Sequence, residues 1–247
     1  WNICWIYRCY RIIKYGKPLY LIAVYNSKII GIFPLFILKI KNKYSIINSL
    51  PFYGSHGGII ISRDFVQKKK IVDLFVQKLL SIVTTEKCLS LNIVDNPFFP
   101  MSNFYENIFK VSASDYRFSH ITNLSIDENY EKDLLGKFKS RRRNYIRNAF
   151  KENFELTNEN TYDGFKKIYY YHKMNQESMG RKAKPLYVFK ALHDTFVPNL
   201  DYDIYFAKKN NEYAGGLLIF YYKNFVEYFT PVYNLKHSKS NPLNFLI

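Results

Sequence analysis

Residues 204–222, IYFAKKNNEYAGGLLIFYY, decide the fold. An apolar-rich run, an Asn pair and a second apolar run read as strand, turn, strand, and a third strand at 225–232 precedes a polar loop. The same order stands earlier. Residues 19–25 (LYLIAVY), a turn at Asn26-Ser27 and residues 28–38 (KIIGIFPLFIL) form a hairpin, followed by a third strand at 44–49 and a loop with Pro51, Gly54, Gly57 and Gly58. With a shift of 184 positions Ala23 falls on Ala207, Asn26 on Asn210 and Gly31 on Gly215. The third strands and their loops are expected in register too. Three identities can arise by chance, because Asn turns and strand glycines are common. The repeated order of elements is the stronger sign of a structural duplication.

Helical segments lie between the two meanders. Residues 64–85 place Phe65, Val66, Ile71, Val72, Phe75, Val76, Leu79 and Leu80 at helical spacing, and 88–94 (CLSLNIV) then reads as a buried strand. Residues 116–124 alternate as a strand. Helices are expected at 127–151, 163–178 and 186–196, with Gly180 and Pro185 separating the last two. Each half is thus a mixed α/β unit, an antiparallel meander with helices packed on it, giving an α+β fold with domains at 1–125 and 126–247.

Composition sets bounds. At 48% hydrophobic and 19% aromatic, 247 residues can bury a core. Thirty-six Lys and Arg against twenty Asp and Glu give a formal charge of +16, which suits an acidic partner such as RNA, a nucleotide, a diphosphate or an anionic membrane. An AT-rich genome, which enriches Lys, Asn, Ile and Tyr throughout, is an equally good source of the excess. Cys4, Cys9 and Cys88 have neither CxxC spacing nor a His cluster, so a disulfide framework or structural zinc is not expected and a reducing, cytoplasmic location fits. Cys88, inside an apolar pattern, reads as structural. The longest apolar runs, about ten residues, are half of what a bilayer span needs. A first residue Trp1 and an apolar final run, 243–247, read as a fragment incomplete at both ends, its second domain included.

The segment KSRRRNYIRNAF, residues 139–150, carries five cations. At 100° per residue from Leu134, Leu135, Phe138, Tyr145, Ile146 and Ala149 fall within about 120° of one another, so one face docks. Arg143 and Arg147 point away. Arg142 falls near the middle of the apolar face, at about 80°. It must find a carboxylate or phosphate there, snorkel, or line a cleft.

The pattern R-x-x-I-R-x-A at 143–149 resembles the start of the second domain in the Fem-type aminoacyltransferases and their FemAB-like relatives in the GNAT superfamily. Ser49-Leu50-Pro51-Phe52 leading to Gly57-Gly58 is similar to the family's S-L-P-F and Gly pair. The stretch 172–180, with Pro185 and Phe189, resembles its "short helix, Met-Gly, Pro, Phe" segment. Residues 201–230 resemble its next meander, and Asn241-Pro242 the turn opening the following helix. The resemblance runs from about Leu19 to the end. It implies two tandem GNAT-like domains and acyl or aminoacyl transfer to an amine, with aminoacyl-tRNA, acyl-CoA or an acyl carrier protein as co-substrate and no bound cofactor. It also implies a cell-envelope precursor of peptidoglycan or polysaccharide type as acceptor.

Amide formation needs a neutral amine, a path for its proton and donors for the developing oxyanion. In GNAT-type folds the strands of the meander splay and exposed backbone N–H groups supply much of the polarisation, so no fixed triad is required. No GxSxG, HExxH, P-loop or GxGxxG element occurs, and neither post-meander loop, 52–58 or 234–240, carries the [RQ]-x-x-G-x-[GA] pyrophosphate nest of acetyl-CoA enzymes. Tyr53 and His56 are substrate-binding candidates because nearby glycines let a ligand approach the backbone, though a Gly-rich structural turn explains them as well. Asp95, directly after a strand, is either an acceptor for the amine proton or a turn cap. Glu227, Tyr228 and His237 are catalytic candidates, with Lys236 and Asn241 beside them for binding. Arg142, Arg143 and Arg147 would hold phosphates of donor or acceptor. Competing readings are an N-acyltransferase acting on a small amine or amino sugar, and a basic module that binds RNA or an anionic membrane surface. No metal site is expected, and the oligomeric state is left open.

Overall fold

The computed structural model describes residues 16–40, 43–49, 57–97, 100–116, 118, 120–124 and 129–247. Tyr53 and His56 lie outside the described residues. The chain divides into two units, Trp1–Ser119 and His120–Ile247.

The first unit is a sheet of β1 (Gly16–Tyr25), β2 (Lys28–Ile40), β3 (Tyr44–Asn48) and β5 (Cys88–Asn92) in that spatial order, with β4 (Ile60–Ile61) on β2. The pairs are antiparallel except β3 with β5, which run parallel across the helix α1 (Lys68–Thr85). A parallel neighbour requires such a crossover, because two strands in the same direction cannot be joined by a hairpin. Ile71, Val72, Phe75, Val76 and Leu79 form one buried stripe of α1 and pack with Leu21, Phe33, Leu35, Ile37 and Ile47 of the sheet. A short helix, α2 (Ser102–Ile108), adds Tyr105 to this core.

The second unit is a four-stranded antiparallel sheet, β6 (Glu155–Asn158), β7 (Tyr202–Lys209), β8 (Glu212–Tyr222) and β9 (Phe225–Tyr233) in spatial order. Helices α3 (Tyr130–Lys137) and α4 (Ser140–Phe150) precede it, α5 (Tyr162–Ser178) and α6 (Leu186–Thr195) lie between β6 and β7, and a 3-10 turn (Leu235–Ser240) leads to α7 (Pro242–Phe245). Tyr202, Ile204, Phe206, Leu218 and Phe220 are buried with Phe165 and Ile168 of α5, Val188, Phe189 and Leu192 of α6, and Phe196.

The expected repeat is present in the first hairpin of each sheet. Ala23 pairs with Gly31 and Ala207 with Gly215, and in both hairpins a bulge falls immediately after the alanine. Asn26-Ser27 and Asn210-Asn211 all have positive φ, the two-residue turn that matches the right-handed twist of strands. The third strands differ from expectation. Phe36 pairs with Asn48, but Phe220, its counterpart, pairs with Glu227, five positions short of the shifted partner. The second hairpin of the first unit is longer, and that resets the register.

Three sequence expectations are corrected. Residues 127–151 are not one helix. Phe138 and Lys139 are extended, with ψ near 145° and 150°, and separate α3 from α4. The strand expected at 116–124 is absent among its described residues. Tyr116 and Phe118 of one parity are as exposed as Ile121 of the other, so no face is buried to hold a strand in place. The strand at 88–94 ends at Asn92 and is half-buried rather than buried.

Candidate functional site

In the first unit Asp95 spends both carboxylate oxygens on backbone donors, Oδ1 accepting from Asn96 N at 2.9 Å and Oδ2 from Met101 N at 2.6 Å, just ahead of α2. Of the two roles open to it, the structure shows the cap. The glycine pair beside the undescribed loop is occupied by the chain itself. A Cβ on Gly57 would lie 2.3 Å from the Ser49 carbonyl oxygen, and Gly58 has φ +84° with Val94 O, Asp95 and Tyr105 around it. The close approach these glycines allow is to their own backbone.

In the second unit β9 is an edge strand among the described residues. Thr230 pairs with Leu218, Tyr228 with Ile219, and Phe229 is the extra residue of the bulge between them. Asn175 of α5, buried, closes the far end of the edge, donating from Nδ2 to Tyr233 O at 2.8 Å and accepting Tyr233 N–H on Oδ1 at 3.0 Å. Pro231 has no N–H to offer, which an edge position tolerates.

On the α5 side of β9, the connection from α5 to α6 turns Lys184 inward. Its Nζ lies 3.3 Å from Thr230 Oγ1 and 4.2 Å from the centre of the Phe229 ring, while its backbone N–H donates to His172 Nε2 at 3.1 Å. That bond fixes His172 as a neutral imidazole with its proton on Nδ1. Burial first, and the Lys184 charge second, hold His172 down to about 4. Burial likewise brings Lys184 down to about 8, with Glu227 offsetting part of the effect.

On the opposite face, Arg142 of α4 donates from Nη1 to Asn244 Oδ1 of α7 at 2.7 Å. Its charge opposes the upward push of burial on the half-exposed Tyr228 phenol. Arg142 is exposed, although it shares the helix face of Ile146 and Ala149. On the wheel of α4 itself Arg142 still stands between Ile146 and Ala149, but it lies on the first turn, where the stripe is not yet covered, and its guanidinium meets Asn244 instead of a carboxylate or phosphate. Arg143, expected to point away, is half-buried and donates from Nη1 to Phe138 O at 2.7 Å, stitching the break. Arg147 is exposed on the last turn. Asn241 adopts φ +53° ahead of Pro242 and accepts Asn244 N–H at 2.9 Å on its backbone oxygen, so it shapes α7.

His237 and Lys236 stand elsewhere. His237 Nε2 lies 3.2 Å from Glu212 Oε2, and Lys236 is exposed, its backbone N–H donating to Asn234 Oδ1 at 3.1 Å. Glu212 opens β8, whereas Tyr228 pairs seven residues along it, about 23 Å away. The structure therefore gathers Arg142, Tyr228 and Glu227 around β9 and leaves His237 and Lys236 out. Lys184, Thr230 and His172 were not singled out in the sequence. Their signal is the cation-rich connection MGRKAKP, residues 179–185, but nothing in it says which lysine turns inward.

No family model and no curated protein sequence matches the chain. Among solved structures, a crystal structure of FemX matches over 99% of this chain and 77% of its own, with a TM-score of 0.64 and 13% identity. The fold is similar to that of FemX. The mixed α+β architecture of antiparallel sheets and helices is thus a Fem-type fold, which at this identity speaks for the fold alone. Among the described residues no helix is long and apolar enough to cross a membrane.

Proposed function

We propose that the chain is a transferase that joins an acyl or aminoacyl group to an amine of a cell-envelope precursor, of peptidoglycan or polysaccharide type, in the cytoplasm. The observation that carries this reading is the FemX-like fold over nearly the whole chain. Acyl or aminoacyl donor and amine acceptor meet at β9. Tyr228 and Glu227 line the strand, Arg142 supplies positive charge on one face and Lys184 on the other. Lys184, with its acidity near 8, is suited to hold or pass a proton near neutral pH, as amide formation requires. The reaction joins the acceptor nitrogen to the acyl carbon, expels the donor's ester or thioester oxygen or sulfur, and moves one proton from the amine to that leaving group.

The test is a donor trial with full-length protein: radiolabelled aminoacyl-tRNA, acyl-CoA and acyl carrier protein, each with nucleotide-linked muropeptide or amino-sugar acceptors. Base-stable label on an acceptor amine supports the reading, and the productive donor separates envelope aminoacyl transfer from acyl-CoA chemistry. No amide from any donor, with salt-dependent binding to RNA or anionic vesicles, leaves the binding-module reading in its place.

A further inference from the structure

A sheet edge presents unpaired backbone donors and acceptors, and folded chains blunt it with short strands, bulges, proline or a covering side chain. Of the four strands that end the two sheets, three are blunted in this way. β5 has five residues and β6 four, and β9 carries Pro231, a bulge and the Asn175 cap on Tyr233. β1 is the exception. It runs for ten residues, and its one proline, Pro18, stands near its start, away from the hairpin end.

The direction of its backbone groups follows from the turn. Asn26 and Ser27, both with positive φ, make a two-residue hairpin, in which the flanking pair, Tyr25 with Lys28, exchanges hydrogen bonds. Backbone groups alternate along a strand, and the extra residue of the bulge, Ile30, lies on β2, so the alternation on β1 is unbroken. The N–H and C=O groups of Val24 and Ile22 therefore point away from β2. Among the described residues neither has a backbone partner on that side. Their side chains are open as well. Leu21 and Ala23 pack against α1, whereas Ile22 is 52% and Val24 60% exposed on the other face.

Such an edge accepts one more strand, and the sequence favours a copy of itself. Residues 19–27, LYLIAVYNS, hold no charge in a chain of net charge +16, so two copies can meet there without facing like charges. Antiparallel pairing about Ala23 sets this whole stretch opposite itself, with Ile22 against Val24 of the second copy and Val24 against its Ile22. The outward groups then close about four backbone hydrogen bonds, and the exposed β-branched side chains become cross-strand pairs. The contact is two-fold and closed, so it stops at a dimer.

We propose that the hairpin end of β1 pairs antiparallel with the same strand of a second copy of this chain, joining two first-unit sheets across a two-fold axis. The pairing is independent of the transferase reading. A contact confined to one strand end belongs to the small, transient class of interfaces, and the expected dissociation constant is about 10–100 μM.

The test is sedimentation of the full chain from about 1 μM to about 500 μM, across which monomer should pass to dimer. Over the same range amide exchange of Ile22 and Val24, read by NMR, should slow about fivefold, while Leu21, Ala23 and Tyr25, already turned toward β2, keep their rates. Val24→Lys, at an exposed position, sets two like charges about 8 Å apart across the axis and should stay monomeric with an unchanged melting temperature. Ile22→Lys is the second variant if the first lowers the melting temperature. Val24→Thr keeps a β-branched side chain and should dimerise as the wild type does. A chain that remains monomeric throughout overturns the proposal. So does a dimer in which the Ile22 and Val24 amides exchange as fast as in the monomer, or one that the folded lysine variants leave intact. None of these outcomes bears on the donor trial.

Discussion

Glu159, between β6 and α5, offers a direct test of the electrostatics that hold the second unit together. Its side chain is 18% exposed and surrounded by donors: Tyr213 OH at 2.8 and 3.1 Å, Lys167 Nζ at 2.6 Å and Lys208 Nζ at 2.9 Å. Both ammonium groups also lie over the Tyr213 ring, 4.7 and 4.6 Å from its centre. Burial alone would raise the carboxyl, but the bonds from Lys167, Lys208 and Tyr213 outweigh it and bring the group from its ordinary 4.5 to about 2. That difference corresponds to about 3 kcal/mol favouring the folded state when the carboxylate is charged. Because the folded value is the lower one, the contribution is fully present above about pH 4.5 and is lost as the pH falls toward 2. Glu159→Gln removes the charge but keeps the shape, so it resembles the protonated residue. Urea unfolding followed by circular dichroism at pH 7, 5.5, 4 and 3 should show the variant about 3 kcal/mol less stable at pH 7, with the gap narrowing steadily below pH 4.5. A gap below about 0.5 kcal/mol at pH 7, or one of constant size down to pH 3, would falsify this account.

Asn175→Ala should cost about 2–3 kcal/mol in urea unfolding, since it leaves both backbone groups of Tyr233 without their partner, and should speed amide exchange at Tyr233. Gly216→Ala places a methyl 2.7 Å from the Phe206 ring and should destabilise by about 1–3 kcal/mol. Gly136→Ala, with nothing within 4 Å on α3, should stabilise by up to about 1 kcal/mol, and thermal melts of the pair that reverse this order would contradict the packing. Arg143→Ala should cost about 1 kcal/mol through the lost bond to Phe138 O, whereas exposed Arg147→Ala should stay within about 0.5 kcal/mol. His172, held at about 4 against an ordinary 6.5, contributes stability present above pH 6.5 and lost as the pH falls through 4. A proton NMR titration of its ring with a midpoint near 6.5 would remove that contribution.

The hairpins were legible because period-2 alternation and Asn turns are local signals, written in the residues that form them. The stripe of α1 was legible for the same reason. The break at Phe138 and Lys139 was not, since neither is Gly or Pro and both stand in a sequence that continues with helical spacing. The break leaves the angles within α4 as they were, and Arg142 is exposed because the stripe it shares with Ile146 and Ala149 is uncovered on the first turn. Asp95 was readable as a polar residue after a strand and Glu227 as one within a strand, but whether a carboxylate caps a turn or faces a ligand depends on partners far along the chain. Lys184 shows the limit most clearly. Its surroundings come from α5 and β9, 12 and 46 positions away, and no local pattern brings those together.

The two similar hairpins also show that a repeated backbone pattern need not repeat its core. Leu21, Leu35 and Ile37 are buried against α1 in the first sheet. At the same positions 184 residues later stand Tyr205, Ile219 and Tyr221, with Asp203 where the first sheet has Leu19. Asp203 accepts from Asn158 Nδ2 at 3.0 Å, Tyr221 OH at 2.6 Å, Tyr205 OH at 3.3 Å and Asn160 Nδ2, a satisfied polar network in place of an apolar layer. The second sheet buries its other face, under α5 and α6, and Gly216 rather than Gly215 meets α5. The other face thereby carries the Asp203 network and Tyr228 beside buried Leu217, while Thr230, with Lys184 against it, lies on the α5 side. β9, one of this sheet's two edge strands among the described residues, carries Tyr228 on one face and Thr230 on the other. The two hairpins thus bury opposite faces, a difference that hydrophobic alternation alone cannot reveal because both faces of the second hairpin remain rich in large side chains.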